Sequence, residues 1–268
     1  MGKTILITGA AGLLGAHFSR YSLKNGHTVI GIDDLSGGYK DFLPCSENFT
    51  FYKRALGKDP IDDIFEKHCI DTVFHFAAYA AEGLSPFIRC FNYQNNVIAS
   101  ASIVNECINH DCKLIFTSSM AVYGKRTPPF TEELELVPID PYGIAKLTVE
   151  MDIRQAAEQF NLKYNIIRPH NVLGKYQNIW DKYRNVIGIF IRRVLKRKPM
   201  IIYGDGQQTR AFSDIEYYMK PFAQLIEGHH NETFNIGADK YWSINEVAHM
   251  VKDVAAQNGY AAEISYGE

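Results

Sequence analysis

Hydrophobic positions fall in short blocks separated by stretches of helical length. The blocks KTILIT (3–8), HTVIGID (27–33), FTFYKRA (49–55), DTVFHF (71–76), KLIFTS (113–118) and KYNIIRP (163–169) are rich in β-branched and aromatic residues, which predicts strands. The segments between the first and second blocks, between the fourth and fifth, and after the fifth carry helical period. Strands alternating with helices predict a parallel sheet covered on both faces. Past residue 170 the order is less regular. A basic helix at about 183–197 precedes the strand MIIYG, a further helix, the strand ETFNIG and a last helix, which Ser243 and Glu246 open as a capping box. The expected fold class is α/β: a doubly wound parallel sheet (1–170 and 209–238) with a smaller interleaved C-terminal lobe (171–208 and 239–268).

Ligands of open parallel sheets bind beyond the carboxyl ends of the strands, and the distinctive residues cluster there. Gly9, Gly12 and Gly15 follow the first strand, Asp33 ends the second, and His75 to Ala78 close the fourth. Ser118 and Ser119 follow the fifth, and Arg168 to Asn171 end the sixth. In TGAAGLLG (8–15) the glycines sit between a strand and a helix. There they allow a tight turn and let backbone N–H groups and the helix N-terminus approach a pyrophosphate. The spacing is GxxGxxG, and Ala11, Leu13 and Leu14 belong to the same turn. A carboxylate at the end of the second strand accepts both hydroxyls of an adenosine ribose and repels a 2′-phosphate. Asp33 stands there, with Asp34 beside it and no arginine following in IDDLSGG, which favours NAD over NADP. A simple Asp-Asp turn is the plainer alternative.

The segment PYGIAK (141–146) opens a helix, with Asp140 as N-cap and Pro141 as first residue. The apolar positions Val149, Ile153, Ala156 and Phe160 lie on one stripe, and Tyr142 and Lys146 lie on it too. A lysine on a core stripe either snorkels to water or is held for chemistry, because a buried ammonium is costly. TSSMAVYG (117–124) brings hydroxyls to a neighbouring strand end.

Composition narrows the function classes. The chain is 46% hydrophobic and 22% charged with a formal net charge of −2, so no nucleic-acid or membrane surface is expected. No apolar run approaches the ~18 residues of a membrane span, and the start MGKTILITGA is neither a signal nor a transit peptide. The cysteines Cys45, Cys69, Cys90, Cys107 and Cys112 are odd in number and lack a CxxC. That predicts reduced thiols in a cytoplasmic setting and no metal site. Arg192, Arg193, Lys196, Arg197 and Lys198 read as a solvated helix face.

Together TGAAGLLG, Asp33, HFAA, SSMAVYG, YGIAK, RPHNVLG and GDGQQTRAF occur in the order of the extended short-chain dehydrogenase/reductases. The chain most resembles their nucleotide-sugar epimerases of the UDP-glucose 4-epimerase kind, over nearly its whole length. The resemblance implies a Rossmann domain with bound NAD, a sugar-nucleotide lobe and a homodimer built through a four-helix bundle. It implies Ser119, Tyr142 and Lys146 as catalytic residues. For the cofactor it implies the glycine-loop residues, Asp33, Asp34, Leu56, Phe76, Ala77, Ala78, Asn96, Ser118, Tyr142, Lys146 and Pro169. For a nucleotide sugar, expected to be a UDP-hexose, it implies Ser119, Tyr142, Asn171 and Arg210; a surface arginine is the plainer alternative for Arg210.

In that setting Tyr142 is the acid/base. Lowering a phenol from a pKa of about 10 to about 7 requires roughly 4 kcal/mol. One cation at ~4 Å supplies about that much at an effective dielectric of 20, and Lys146 is one helical turn away. The expected chemistry is reversible oxidation of sugar C4 with NAD and re-reduction on the opposite face. Resembling sugar 4,6-dehydratases carry an Asp-Glu pair where Met120 and Ala121 stand, and the decarboxylating relatives keep a Glu in that stretch. An epimerase, or an NAD-dependent 4-keto reductase or dehydrogenase, is therefore favoured over a dehydratase. A non-catalytic NAD sensor on the same fold is the third alternative. Three departures stand out. RALGKDP (54–60) lacks the usual adenine-contacting run, leaving Leu56 or Asp59 as substitutes. HFAAYAAE (75–82) has small residues and Glu82 where some epimerases carry a lysine. The chain also stops short of the usual C-terminal part, as a compact or truncated variant would.

Overall fold

A computed structural model describes residues 2–181, 183 and 185–267. Met1, Lys182, Arg184 and Glu268 lie outside these, and with them the outer ends of the two expected units and one position of the expected basic helix. The strands are β1 (Thr4–Thr8), β2 (Thr28–Asp33), β3 (Phe49–Lys53), β4 (Thr72–His75), β5 (Lys113–Thr117) and β6 (Tyr164–Pro169). They continue with β7 (Asn171–Leu173), β8 (Met200–Tyr203), β9 (Thr209–Asp214), β10 (Glu232–Ile236), β11 (Tyr241–Ser243) and β12 (Ile264–Gly267). The helices are α1 (Leu13–Lys24), α2 (Asp62–Lys67), α3 (Arg89–Tyr93), α4 (Ala99–Asn109), α5 (Pro141–Phe160), α6 (Val186–Leu195), α7 (Glu216–Glu227) and α8 (Ile244–Gln257).

Among the described residues, seven strands form one parallel sheet in the order β10-β6-β5-β4-β1-β2-β3. The chain winds outward from β1 through β2 to β3, then returns to lay β4, β5 and β6 on the other side. The switch point lies between β1 and β4, and this is where a crevice opens at the carboxyl ends. Alternate residues of the inner strands bury into opposite cores, which is why these strands read as continuous apolar runs. Leu6, Val73, Leu114, Phe116 and Ile166 face Ile64, Ile103, Val149 and Ile153 of α2, α4 and α5. Ile5, Ile7, Phe74, Ile115 and Ile167 face Phe18 of α1 and Tyr218, Met219 and Phe222 of α7. A third core joins α6, α8 and β8 through Phe190, Val194, Met200, Ile202, Val247 and Ala248.

Beyond β6 the chain crosses a single residue, His170, and enters a different sheet. There β7 pairs in parallel with β9, and β9 pairs antiparallel with β11. The parallel pair β12-β8 completes the lobe, while α7 and β10 return to the large sheet. Of these, β7, β9, β11 and β12 are absent from the sequence-based expectation, in which Arg168 to Asn171 end the sixth strand. The basic helix is shorter than 183–197, because Asn185 caps it by accepting from Gly188 N at 3.0 Å and Arg197 turns to a positive φ of 53°. The α5 stripe also ends early: Phe160 is 59% exposed, since Asn161 adopts a left-handed conformation and turns the chain away. The capping box of Ser243 and Glu246 is formed.

Phe18 is fully buried, 4.4 Å from the Phe74 ring centroid and 5.4 Å from that of Phe222. Phe18→Ala should lower the free energy of unfolding by about 3–5 kcal/mol in a urea titration. A loss below about 1 kcal/mol, the size of an ordinary substitution, would show that this aromatic cluster does not hold the helices to the sheet.

Candidate active site

The glycine loop is built by sterics. Gly9 sits at φ +68°, and a Cβ there would stand 2.8 Å from Ala77 N; a Cβ on Gly15 would stand 2.2 Å from Gly9 O. Both positions therefore require glycine for the loop to fold between β1, β4 and α1. Gly12 is the N-cap of α1, whose first turn carries no acidic residue. Its unpaired helix-terminal N–H groups and the dipole make an anion site. Asp33, buried at the end of β2, accepts from Ala11 N at 2.9 Å and from Leu35 N at 2.7 Å. Burial pushes its carboxyl up from the usual carboxylate value, and the two N–H bonds oppose that.

Helix α5 brings the second group of residues. Asp140 accepts from Tyr142 N at 2.9 Å and from Gly143 N at 3.0 Å, which fixes the helix start. Tyr142 and Lys146 are both buried, at 8% and 2% exposure. Lys146 Nζ lies 5.9 Å from the Tyr142 ring centroid and 4.8 Å from that of Phe116, and it donates to Thr117 O at 2.8 Å. Burial lowers its pKa to about 7, against the opposing pull of Glu150. Ser119 accepts from Ala121 N at 3.1 Å and caps the short turn that carries Met120 and Ala121.

Beneath them runs a buried network that sequence reasoning missed. Arg168 donates Nε and Nη2 to the two oxygens of Glu150 at 3.0 and 2.6 Å, and Nη1 to Tyr123 Oη at 2.7 Å. Ser118 Oγ donates to Glu150 at 2.5 Å. The signal was present: Glu150 continues the four-residue spacing of Tyr142 and Lys146 along α5. His75 forms another tie, held between Thr8 Oγ1 at 2.7 Å and Ser100 Oγ at 2.9 Å. Burial and the nearby Lys146 charge lower its pKa to about 3, so it is a neutral spacer.

A continuous cleft of about 1420 Å³ runs across the strand ends. Gly9, Gly12, Leu13, Leu14, Gly15, Asp33, Asp34 and Leu56 line one end. Phe76, Ala77, Ala78, Ser118, Ser119, Tyr142, Lys146 and Pro169 line its middle, and Asn171 and Arg210 the lobe side. Ala11 and Asn96 do not line it. Ala11 lies behind the loop, and Asn96 is fully buried, bonded to Tyr79 N and O and to Asn92. Asp59 is spent on Ala55 N, whereas Leu56 lines the cleft. Asn171 ties β7 to Ala211 O at 2.9 Å. Arg210 is exposed and donates only to the adjacent Thr209 O among the described residues. The uncharged start of α1, the Asp33 carboxylate and the unpaired buried hydroxyl of Thr117 on the cleft wall fit a bound dinucleotide. A single ligand pocket usually spans about 300–1,000 Å³, so this cleft is large enough for two ligands. No group of His, Cys, Asp and Glu among the described residues is arranged to hold a metal ion, and no helix there is long and apolar enough to cross a membrane.

Residues 5–237 match the NAD dependent epimerase/dehydratase family. A UDP-glucose 4-epimerase of Halalkalibacterium halodurans is 32% identical over 270 residues, covering 93% of this chain and 80% of that protein. A UDP-N-acetyl-alpha-D-glucosaminuronate decarboxylase of Bacillus cytotoxicus is 28% identical over 99% of this chain and 84% of its own length. Among solved structures, the UDP-glucose 4-epimerase of Thermotoga maritima with UDP-glucose aligns with a TM-score of 0.90 at 31% identity, over 98% of this chain and 85% of that one.

The lowered pKa of Lys146 has a consequence for stability. In the unfolded chain the amine titrates near 10.5, in the folded chain near 7. The destabilisation is therefore complete below about pH 7, fades as pH rises, and is gone above the unfolded value. In nucleotide-free protein, Lys146→Met should raise Tm at pH 7, and the gap to the parent should close toward about pH 10. A gap that stays constant with pH would show that the amine keeps its ordinary pKa in the fold.

Proposed function

This chain belongs to the NAD dependent epimerase/dehydratase family, and from that premise we propose that it inverts C4 of a nucleotide-diphosphate hexose, a UDP-hexose, with NAD as resident cofactor. The observation that carries the reading is the pairing of Tyr142 with Lys146 one turn below it on the cleft wall, beside Ser119.

The glycine loop and α1 N-terminus hold the cofactor pyrophosphate, and Asp33 takes the adenosine ribose. Lys146 holds the nicotinamide ribose. NAD, when bound, supplies a reversible hydride acceptor for the sugar carbon. Tyr142, as phenolate, takes the proton of the sugar 4-hydroxyl and later returns it, while Ser119 hydrogen-bonds the same oxygen. Asn171 and Arg210 grip the nucleotide diphosphate, Arg210 by paired N–H donors. That grip keeps the keto sugar bound while its ring turns to present the other face. Met120 and Ala121 on the cleft wall can act neither as acid nor as base, which supports epimerisation over elimination.

The chain also forms a homodimer on this reading. Phe87 at 83% exposure, Phe91, Ile98, Ile144 and Met151 leave an apolar surface on α5 and on the α3–α4 side of the fold, suited to a second copy of the same helices. In light scattering the paired substitutions Ile98→Glu and Met151→Glu should convert a dimer to a monomer; a monomeric parent would refute the assembly.

The decisive assay incubates the protein with UDP-glucose, UDP-galactose and their N-acetyl forms and separates the products. Interconversion without free NADH is expected. Accumulating NADH would mark a net dehydrogenase, and bound NAD without turnover a sensor. Tyr142→Phe should lower activity by about 10²–10⁴-fold with NAD still bound; full activity in that variant would overturn its assignment.

A further inference from the structure

One carboxylate in the cleft is not used by the chemistry above. Glu82 begins the 3₁₀ turn Glu82–Phe87 and lines the cleft. The turn is docked on the start of α5 through one hydroxyl: Ser85 Oγ donates to Glu82 O at 2.7 Å and accepts from Tyr142 N at 3.2 Å. Glu82 is thereby anchored next to the residue proposed to work on the sugar. Among the described residues its charged neighbours are Asp140 and Arg210. Asp140 is committed to capping α5, and Arg126, another cation on the cleft wall, is paired with Glu135. Among the described residues the Glu82 carboxylate has no hydrogen-bond or ion-pair partner. It is exposed on the cleft wall, and desolvation there together with Asp140 raises its pKa against the opposing pull of Arg210.

Resting on the nucleotide-sugar reading, we infer that Glu82 is a specificity-determining residue that admits sugars with an uncharged hexose ring and rejects uronates. Hydroxyls or an amide N–H of a neutral sugar can donate to the open carboxylate. A sugar carboxylate would bring a like charge to Glu82, which already feels the charge of Asp140, and the described cation that acts on Glu82, Arg210, is engaged by the diphosphate. The distinction matters because a decarboxylase of a uronate nucleotide is among the similar proteins.

The test compares UDP-glucose with UDP-glucuronate, both by kcat/KM for epimerisation and by calorimetric Kd on the NAD-loaded enzyme. The parent should favour UDP-glucose. Glu82→Gln should move the ratio of the two sugars toward UDP-glucuronate by about tenfold, as loss of one close like-charge pair predicts, and Glu82→Asp should keep the parent preference. A general packing role for Glu82 would change both sugars together and leave the ratio fixed. An unchanged ratio in Glu82→Gln, or a parent that takes UDP-glucuronate equally well, overturns the inference and leaves the epimerase reading intact. Preferential binding of UDP-glucose without turnover, with the ratio shifted in Glu82→Gln, overturns the epimerase reading and supports the role of Glu82. If neither nucleotide binds the parent, both fall.

Discussion

The site depends on a buried ion pair that takes no part in the chemistry. Glu150 and Arg168 are each about 1% exposed and bonded through both carboxylate oxygens. Arg168 belongs to β6, Ser118 follows β5, and Glu150 belongs to α5, so one carboxylate ties a helix to two strand ends. A buried pair of this kind adds little net stability, since desolvation of both ions offsets their attraction. Its value is registry: removing either partner leaves an uncompensated charge, so α5 is held in one rotation and one axial position. That position sets Lys146 one turn above Glu150, against Thr117 at the end of β5, and Tyr142 one turn beyond it.

Polar residues in and behind the cleft wall divide into fixed and free. His75, Ser118, Asn96 and Asp140 are bonded to neighbours and serve as struts. Asp33 is partly spent on backbone N–H groups yet keeps lone pairs toward the cleft. Thr117 Oγ1, Arg210 and Glu82 retain unmet capacity. A rigid frame with a few open donors and acceptors suits the recognition of large polar ligands, because an imperfectly paired group in the frame would be costly whether or not a ligand were present.

The large sheet was legible because its inner strands β1, β2, β4, β5 and β6 are buried on both faces and read as apolar runs, while the half-buried edge strands β3 and β10 are marked by β-branched and aromatic residues. The lobe strands were not. β7 and β11 have three residues each, β9 is largely exposed, and β12 ends the described chain, so none has a run or an alternation long enough to detect. The glycine loop, Asp33, Tyr142 and Lys146 were legible from residue type at a strand end or on a helix stripe. Asn96 was placed toward the cofactor on resemblance, whereas the structure turns its amide inward to Tyr79 and Asn92. That outcome depends on the π-helical turn Gln94–Ile98, which shifts the helical phase and cannot be read from spacing. The four-residue spacing puts Glu150 on the buried side of α5 with Tyr142 and Lys146, but its partner Arg168 lies 18 residues on, and no local pattern joins the two.

The structure also changes the electrostatic argument for Tyr142. Sequence spacing allows Lys146 to be treated as a permanent cation that acidifies the phenol. Burial instead brings the amine to about 7, so near neutral pH its charge depends on what surrounds it. Glu150, one turn below, favours the protonated form. A phenolate one turn above would favour it too, since Nζ lies 5.9 Å from the centre of that ring. On the proposed roles, a proton leaving the tyrosine and one arriving at the lysine would keep the net charge of the cleft unchanged. The lysine need not be charged beforehand to assist. It has to be able to take charge when the phenol ionises.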